Sequence, residues 1–366
     1  MSRSGPVGIG VIGAGVISGA YLENLTTFPD LKVLFVADLD FDRAKAQAEK
    51  FGVPGFGSVE ELLAIDEIEI VVNLTIPAVH AEVGHRALAA GKHVWSEKPF
   101  ALDRESGRAL LEDAHERGLR VACAPDTILG AGLQSAQRLL DSGRVGPALS
   151  GIALCQGPGP ESWHPNPEFL FDVGAGPLFD LGPYYLTAFV QLFGPVARVH
   201  AASSTSRTTR TIGSGPKAGI AFAVNVPTQH SALLEFESGQ TLMLVISFES
   251  EIERTQIEVT ARDGALALPD PNQFIGATTV FERATEPEVV EEQGPAYGRG
   301  MGVLDLARSI RRGVPERASG ELAYHVLDVM VSIAESAQTR DSVSVASTTA
   351  RPKPLPADWD PQFVTL

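Results

Sequence analysis

Residues 7–25 read VGIGVIGAGVISGAYLENL, and this stretch decides the fold. An apolar, β-branched run from Val7 to Ile12 enters a glycine turn, and a stretch compatible with a helix leaves it. The N-terminus of a helix presents unpaired backbone N–H groups and positive dipole potential, so a strand, a tight turn and a helix together form an anion site. Glycine in such a turn lets the backbone approach a pyrophosphate. The stretch therefore predicts a phosphate-binding turn.

Two glycine patterns overlap in this stretch. The first consists of Gly8, Gly10 and Gly13 and matches G-x-G-x-x-G literally, but it lies inside the apolar run, where the backbone should pair within a sheet. The second starts at Gly13 and has Ser18 at its third position, where the strand turns into a helix. We choose the second pattern, because structural context supports such a motif better than the letters alone. It assigns four residues to the pyrophosphate: Gly13, Gly15, Val16 and Ile17.

An acidic residue follows the second predicted strand. Residues 31–37 (LKVLFVA) are read as a buried strand that ends at Asp38, twenty residues past Ser18. A dinucleotide-binding fold places an acid there to accept hydrogen bonds from the adenosine ribose hydroxyls. The alternative is that Asp38 only caps the next helix. The acid favours NAD, because it repels the additional phosphate of NADP, whereas Arg43 is the nearby residue that can pair with that phosphate. The turn and the acid together predict NAD as the cofactor.

Length and composition restrict the class of protein. A chain of 366 residues is long for one hydrophobic core, and 44% hydrophobic and 20% charged residues are typical of a globular protein. A formal net charge of −16 disfavours nucleic acid and anionic membranes as partners. The cysteines, Cys123 and Cys155, have no metal-like spacing, and the sequence shows neither a signal peptide nor an apolar stretch long enough to cross a bilayer. We expect a cytoplasmic protein without a metal.

The chain is expected to form two domains. Predicted strands and helices alternate over residues 1–125, which indicates a parallel sheet with right-handed crossovers, the Rossmann architecture. Within residues 126–366, strands dominate beyond a predicted helix that ends at Phe193, and residues 232–236 and 242–248 alternate as a hairpin. We predict an α/β protein with an N-terminal Rossmann dinucleotide-binding domain and a C-terminal α/β domain with a mostly antiparallel open sheet. The final helical region is expected to pack back on the first domain, residues 207–216 to form a mobile loop, and the chain from Arg351 to form a surface tail.

Side chains at the strand ends are the informative ones, because ligands of parallel sheets bind beyond the carboxyl ends of the strands. Lys98 follows a short predicted strand, between Glu97 and Pro99, on the face where a nicotinamide should lie. A partly desolvated lysine next to a nicotinamide cation is suited to general acid–base chemistry. Taken alone, Lys98 would be read as a surface lysine on a turn.

Several motifs of the chain occur together. They are Gly13-x-Gly15, Asp38, Thr75-x-Pro77-x-x-His80, Ala89-x-Gly91-Lys92-His93-Val94, Glu97-Lys98-Pro99 and residues 174–182, GAGPLFDLG. This combination resembles the glucose–fructose oxidoreductase / inositol dehydrogenase (Gfo/Idh/MocA) family, and it extends at least to Pro195. The resemblance implies NAD(P)-dependent hydride transfer at a sugar or polyol carbon. It also implies further cofactor-side residues: Thr75, Pro77, His80, Glu97 and Lys98.

The resemblance implies a catalytic cluster of lysine, aspartate and histidine. Lys98 and Asp180 match the first two, but the histidine position of the D-x-G-x-H pattern holds Tyr184. One interpretation gives Tyr184 the role of the histidine, because a phenol beside an ammonium group can exchange a proton with a hydroxyl or a carbonyl. The other makes Tyr184 a core residue with a satisfied hydroxyl, and the chemistry is then altered or lost.

Four residues are candidate substrate contacts: Asp126, Trp163, His164 and Tyr185. Trp163 and His164 lie in a glycine- and proline-rich loop, residues 157–168, that is expected to cover the cleft. Tryptophan can stack on a sugar ring and histidine can bond its hydroxyls; the alternative is a buried tryptophan that only anchors the loop. Asp126 follows the fifth predicted strand, where an acid suits a neutral polyol.

Three functions fit these residues. We favour an NAD-dependent oxidoreductase that acts on a neutral sugar, a sugar derivative or a cyclitol. The first alternative is a lyase, epimerase or glycosidase that oxidises the sugar transiently and retains its NAD. The second is a non-catalytic protein that senses NAD(H). The family resemblance also implies a homo-oligomer, a dimer or tetramer, that forms through the face of a sheet.

Overall fold

The computed structural model describes residues 4–366, which divide into two compact units. Unit 1 runs to Gln134 and also includes Gln293–Tyr324 and Pro352–Leu366; unit 2 comprises Ser135–Glu292 and His325–Arg351. Unit 1 thus continues past residue 125 and is discontinuous, since a late helical segment and the end of the chain belong to it. The reason is tertiary, because a late helix packs against the strands and the first helix of unit 1.

The elements have the following bounds. The strands of unit 1 and the helices between them are β1 (Val7–Ile12), α1 (Val16–Leu25), β2 (Leu31–Ala37), α2 (Phe41–Phe51), β3 (Gly55–Gly57), α3 (Val59–Leu63), β4 (Ile68–Asn73), α4 (His80–Ala89), β5 (His93–Ser96), α5 (Arg104–Glu116) and β6 (Val121–Cys123). There follow α6 (Ala131–Asp141), β7 (Ala148–Gln156), α7 (Gly176–Phe193), β8 (Val196–Ser204), β9 (Thr209–Thr211), β10 (Ala221–Ala223), β11 (Gln229–Phe236), β12 (Thr241–Ser247), β13 (Arg254–Ala261), β14 (Gly264–Ala267), β15 (Thr278–Glu282), β16 (Glu288–Val290), α8 (Met301–Arg312), α9 (Gly320–Thr339) and β17 (Val343–Ser344).

Unit 1 is a Rossmann domain, as predicted. Its six strands are all parallel and lie in the order β3-β2-β1-β4-β5-β6. Every residue of β1 is buried, which is expected of a parallel strand covered on both faces. Gly8 and Gly10 are packing residues of β1, since a Cβ on Gly8 would lie 1.9 Å from the Glu67 carbonyl oxygen and one on Gly10 would lie 2.8 Å from Leu62. The literal glycine pattern is therefore part of the sheet.

The chain after Arg351 lies largely at the surface, as predicted, with Phe363 and Val364 exposed, but its end is tied to unit 1 by hydrogen bonds. The buried Asp30 carboxylate accepts hydrogen bonds from Thr365 and Leu366, and it forms an ion pair with Arg308 of α8 at 2.8 Å. Arg308 also donates to the carbonyl oxygens of Asp360 and Phe363. These bonds offset the cost of burying the aspartate, so the pKa of Asp30, which burial alone would raise, is lowered, mainly by Thr365 and then by Arg308.

Unit 2 is built on a nine-stranded sheet in the order β16-β15-β14-β13-β7-β12-β11-β8-β17. It is mostly antiparallel, as predicted, and β7 pairs with β12 in parallel. The predicted hairpin is β11–β12, in which Ala232 pairs with Leu244 and Leu234 with Leu242. Helix α7 packs on one face against β7, β11 and β12.

The stretch predicted as a mobile loop, residues 207–216, contains a strand. β9 pairs with β10 as a two-stranded ribbon, and Arg210 in β9 is buried. Its guanidinium lies against Glu161 and Glu249 and stacks over the Phe171 ring at 5.1 Å. The local sequence is polar, but the buried arginine holds it in place. Among residues 4–366, no helix is long and apolar enough to span a membrane.

Candidate functional site

The phosphate-binding turn has the geometry that the second glycine pattern requires. Gly13 has φ +102°, and a Cβ there would lie 2.6 Å from the Leu74 carbonyl oxygen, so only glycine fits. Gly15 is different, because a Cβ built on it meets no heavy atom within 4 Å. It is the N-cap residue of α1, and no side chain caps that helix end. The protein itself gives no packing reason for glycine at position 15, whereas a bound phosphate would.

Ser18 closes the turn at the position where the common motif has a third glycine. Its side chain is buried, and the hydroxyl donates to the Gly15 carbonyl oxygen at 2.6 Å. The serine side chain therefore lies inside the junction between the turn and the helix, and the space beside Gly15 stays open.

Asp38 lies at the carboxyl end of β2 and contacts the glycine turn. Its Oδ2 accepts from the Ala14 amide at 2.6 Å, and its Oδ1 accepts from the Asp40 amide at 2.8 Å. The alternative in which Asp38 caps the next helix is excluded, because the N-cap of α2 is Asp40. Arg43 is half-exposed on α2, with its guanidinium 3.5 Å from Asp40. A carboxylate suited to a ribose and a half-exposed arginine thus lie at the same end of β2.

Large apolar side chains are exposed at the carboxyl ends of three neighbouring strands. Val16 follows β1, Leu39 follows β2 and Ile76 follows β4, and all three are exposed. Exposed apolar groups concentrated at a ligand-binding edge are typical of a surface that a ligand covers. Together with the uncapped α1, they fit a dinucleotide with an apolar base and a charged pyrophosphate.

Residues 75–80 follow β4, and hydrogen bonds hold them to Asn73 and to the turn at Pro99. Asn73 accepts from the Thr75 hydroxyl at 2.6 Å and donates to the His80 carbonyl oxygen. Thr75 and Pro77 are partly exposed, but His80 is only 1% exposed, and its ring nitrogens lie 2.8 Å from the Pro99 oxygen and 3.0 Å from the Thr75 oxygen. The predicted cofactor contact of His80 is therefore corrected, since its ring joins the Thr75 turn to the Pro99 turn inside the protein.

Lys98 is half-buried directly after β5, and its neighbour Glu97 supports it. The buried Glu97 accepts from the Lys98 amide at 3.1 Å through Oε2 and from the Tyr21 hydroxyl at 2.7 Å through Oε1. Trp95 Nε1 donates to the same hydroxyl at 3.1 Å. The observed hydrogen bonds of the Glu97 side chain are thus to protein groups, and one of them holds the Lys98 amide. Our sequence reasoning missed Tyr21; the available signal was its place on the apolar inner face of α1, with Leu22 and Leu25.

Asp126 is not a substrate contact, which corrects the prediction. The carboxylate is 0% exposed, and it accepts from the amides of Gly300 at 2.8 Å and Gly302 at 3.2 Å and from Arg299 at 3.2 Å. Because the N-cap of α8, Gly300, has no side chain, Asp126 supplies the missing cap from a distant part of the sequence. Burial raises the pKa of Asp126, and Arg299 and the two amides oppose this shift.

In unit 2, Asp180 and Tyr184 lie one turn apart on α7 and so share a face of that helix. Asp180 is partly exposed and Tyr184 is 6% exposed. Tyr185 points elsewhere: it is 2% exposed and lies near Cys155 of β7 and Thr255 of β13. Burial, followed by the neighbouring Cys155, raises the pKa of Tyr185. The predicted substrate contact of Tyr185 is therefore corrected to a contact between α7 and the sheet.

Trp163 and His164 are placed on the loop of unit 2 as expected, and the tryptophan is 68% exposed. Its ring lies edge-on to His164 at 5.5 Å, and His164 lies edge-on to the exposed Phe169 at 5.6 Å. The interpretation of Trp163 as a buried anchor is excluded. The anchor of this loop is Glu161, paired with the buried Arg210.

No three side chains of His, Cys, Asp or Glu gather as a metal site within the described part of the chain. The expectation that the protein uses no metal stays a prediction.

Two family models cover most of the chain. The model described as oxidoreductase family, NAD-binding Rossmann fold, matches residues 7–124, and the GFO/IDH/MocA C-terminal domain model matches residues 133–267.

Individual proteins of known sequence or structure are also similar to this chain. An uncharacterized oxidoreductase, ORF334, from Rhizobium meliloti is 29% identical over 342 residues, which is 91% of this chain and 97% of the relative. A D-xylose 1-dehydrogenase (NADP(+)) from Haloferax volcanii is 28% identical, over 85% of this chain and 91% of the relative. The structure of levoglucosan dehydrogenase in complex with NADH is similar with a TM-score of 0.80 at 19% identity, over 93% of this chain and 100% of that one, and establishes the common fold. The chain therefore belongs to the Gfo/Idh/MocA family of NAD(P)-dependent oxidoreductases.

Proposed function

We propose that the protein transfers a hydride between NAD and a hydroxyl or carbonyl carbon of a neutral sugar, sugar derivative or cyclitol. The observation that carries the proposal is the edge of the unit 1 sheet. There the open Gly15 follows β1, Asp38 follows β2 and the half-buried Lys98 follows β5. These residues would hold a dinucleotide between a ribose-binding acid and a proton-transfer group.

In this proposal the residues of the chain handle binding and the proton. Gly15 and the first amides of α1 hold the pyrophosphate, and Asp38 holds the ribose. A bound nicotinamide would supply the hydride acceptor for the substrate carbon. Lys98 accepts the hydroxyl proton at Nζ, so that the alcohol becomes a carbonyl and the lysine an ammonium group. Following the family pattern, Asp180 and Tyr184, which share a face of α7, are the proposed residues of unit 2 that bond the substrate oxygen, with Tyr184 able to protonate it.

The loop residues are proposed to select the substrate. Trp163 presents a wide apolar surface, which suits the C–H face of a sugar ring. His164 accepts from the Asn166 amide at Nδ1, which leaves Nε2–H as a donor for a sugar hydroxyl. This tautomer follows from the bond, because a ring nitrogen that accepts carries no proton.

NAD rather than NADP is the proposed cofactor. Asp38 is the supporting residue, since its carboxylate lies at the end of β2 where the ribose of the adenosine is expected. Arg43 is already next to Asp40, which partly neutralises it.

The proposal is tested with a panel of neutral sugars and cyclitols and NAD⁺, with reduced nicotinamide and product measured separately. We expect net NADH with at least one substrate. Lys98→Met should lower kcat by about 10²–10⁴-fold, the usual contribution of a proton-transfer group, while NADH binding persists. Lys45→Met, on the exposed side of α2, is the matched control.

Three outcomes would contradict the proposal. Product without net NADH indicates transient oxidation with a retained cofactor. NADH binding without product from any member of the panel indicates a sensing protein. A Lys98→Met enzyme with normal kcat removes Lys98 from the mechanism.

We also infer that the protein is a homo-oligomer that associates through the face of the unit 2 sheet opposite α7. One row of that face, across neighbouring strands, is His200, Leu233, Met243, Ile152 and Glu258. Leu233 and Met243 are exposed within it, and exposed apolar side chains flanked by polar ones are typical of an interface. Met243→Glu should reduce the mass measured by light scattering to that of a monomer. Ile252→Glu, an exposed apolar residue outside the strands, should not. A monomeric parent protein, or an unchanged mass in Met243→Glu, would contradict the inference.

A further inference from the structure

We propose that Tyr21 is a positioning residue for Lys98: its hydroxyl orients the Glu97 carboxylate, which holds the Lys98 backbone amide, and so links the phosphate-binding helix to the proton-transfer group. The proposal rests on the proposed function of Lys98. It concerns a buried tyrosine that takes no part in the proton transfer itself.

The hydrogen bonds at the Tyr21 hydroxyl have a fixed direction. Trp95 Nε1 lies 3.1 Å from the tyrosine hydroxyl, and an indole N–H can only donate. The hydroxyl therefore accepts from Trp95, and its own proton points to Glu97 Oε1 at 2.7 Å. Trp95 thereby removes the rotational freedom that a hydroxyl normally has, and the Tyr21–Glu97 bond is a charge-assisted bond of fixed direction.

The Tyr21 hydroxyl stays protonated. Burial, followed by the charges of Glu97 and Asp126, raises the pKa of Tyr21 well above its ordinary value, and Arg299 opposes the shift only in part. The hydroxyl consequently keeps its proton over the working range of an enzyme. Tyr21 donates to Glu97 under all such conditions, so it is a fixed support rather than a proton carrier.

The Glu97 carboxylate connects Tyr21 to Lys98. With Oε1 held by Tyr21, Glu97 directs Oε2 to the Lys98 amide at 3.1 Å. Glu97 is buried, so its carboxylate has little access to water as a substitute donor. Loss of the Tyr21 hydroxyl leaves Glu97 Oε1 and Trp95 Nε1 short of a partner at the same time. The carboxylate then turns to other donors, and its less compensated charge favours the ammonium form of Lys98.

Helix α1 carries Tyr21 and begins at the phosphate-binding turn. Gly15 is the N-cap of α1 and Tyr21 lies on the inner face of the same helix, so one helix connects the phosphate-binding turn to Glu97. A cofactor bound at the start of α1 is thereby held in register with the Lys98 turn. Tyr21 supplies this link without touching the cofactor, because its side chain is fully buried.

The first test is Tyr21→Phe, which removes the hydroxyl and keeps the ring. We expect kcat to fall about ten- to a hundredfold, the range that corresponds to loss of one hydrogen bond to a charged group. The KM for the sugar and the Kd for NADH should change little, since the hydroxyl touches neither. The pH at which kcat for oxidation reaches half its maximum should move upward, because a lysine held as ammonium accepts no proton. Tyr297→Phe is the matched control, since that ring packs edge-on against Phe28 at 5.8 Å.

A double-mutant cycle tests whether Tyr21 acts through Glu97. Glu97→Gln removes the charge that the Tyr21 hydroxyl orients, and the combined variant should then be no slower than Glu97→Gln alone. A hydroxyl that only stabilises the fold predicts the opposite. Its removal lowers the melting temperature, leaves kcat and its pH profile unchanged, and adds to the effect of Glu97→Gln. That result would overturn the proposal.

A readout without turnover separates this proposal from the proposed function. In protein labelled with ¹⁵N-lysine, the Lys98 amide signal is assigned by its absence in Lys98→Met. We expect its hydrogen exchange to be faster in Tyr21→Phe and unchanged in Tyr297→Phe, because Glu97 no longer holds the amide. If the parent protein turns over no sugar, the proposed function fails while the exchange experiment still decides the link. Equal Lys98 exchange in the parent and in Tyr21→Phe refutes the link, whatever the activity.

Discussion

Substitution of Gly15 by valine tests cofactor binding at the phosphate-binding turn separately from the stability of the fold. Gly15 has φ −72° and ψ −170°, an extended conformation that valine adopts readily, and no heavy atom lies within 4 Å of the position of a Cβ. We therefore expect the free energy of unfolding to stay within about 1 kcal/mol of the parent value, since the lower entropy of the unfolded chain favours valine slightly. The new side chain would project into the open space above the start of α1.

The expected cost falls on cofactor binding. A valine at position 15 keeps the pyrophosphate from the first amides of α1, and each charge-assisted hydrogen bond contributes about 1.5–3 kcal/mol. Loss of two such bonds amounts to about 3–6 kcal/mol, or roughly 10²–10⁴-fold in Kd at 1.4 kcal/mol per tenfold. Gly15→Ala should show a smaller effect in the same direction, because it adds only one carbon atom.

The assay is a titration of NADH by calorimetry, paired with thermal unfolding of the same variants. Gly19→Ala is the matched control on α1, since a Cβ there meets only the Phe51 ring at 4.0 Å. Gly13→Ala should behave in the reverse way and destabilise the fold, because its Cβ would lie 2.6 Å from the Leu74 oxygen. An unchanged NADH affinity in Gly15→Val would refute the reasoning, because the pyrophosphate would then not lie against Gly15.

Three further predictions concern the catalytic face, cofactor choice and acid stability. Tyr184→Phe should lower kcat with the fold intact; a normal kcat in steady-state assays would make Tyr184 a packing residue. Asp38→Ser should raise kcat/KM for NADP relative to NAD, because two unit charges about 4 Å apart repel by roughly 4 kcal/mol at an effective dielectric of about 20, before relaxation; equal efficiencies in the parent would show that Asp38 does not read the ribose. Burial, followed by Arg120, lowers the pKa of His93 from 6.5 to about 4, so the unfolded state binds its proton first and stability present above pH 6.5 is lost as the pH falls towards 4, by at most about 3 kcal/mol. We expect the free energy of unfolding, measured with urea across this range, to depend less on pH in His93→Asn than in the control His85→Asn. The asparagine Oδ1 can accept the hydrogen bond from the Arg120 amide that His93 Nδ1 now accepts at 3.0 Å. Equal pH dependence in the two variants would remove His93 as the cause.

Local sequence determined the elements on which the cofactor site is built. The β-branched run of β1, the glycine turn and the acid after β2 act through neighbours a few residues away, or through strand order that short crossovers dictate. The same is true of the hairpin of unit 2, since a two-residue period and a turn specify its register. For this reason the Rossmann sheet, the choice of glycine pattern and the position of Lys98 at a strand end follow from the amino-acid sequence alone.

Only the tertiary structure decided what the strand-end side chains face. In the sequence, Asp126 has the position of a ligand-binding acid. In the fold, its carboxylate accepts hydrogen bonds from the amides at the start of α8, 174 residues away. His80 and Tyr185 likewise carry polar groups that a sequence assigns to a ligand, whereas in the fold their partners are a distant turn and a neighbouring sheet. Tyr21 is the converse case, an apolar-face residue whose hydroxyl acquires a role only because β5 places Glu97 and Trp95 against it. The physical reason is common to all four: a buried polar group must find its partner, and that partner is chosen by which segments pack together, not by which are adjacent in the chain.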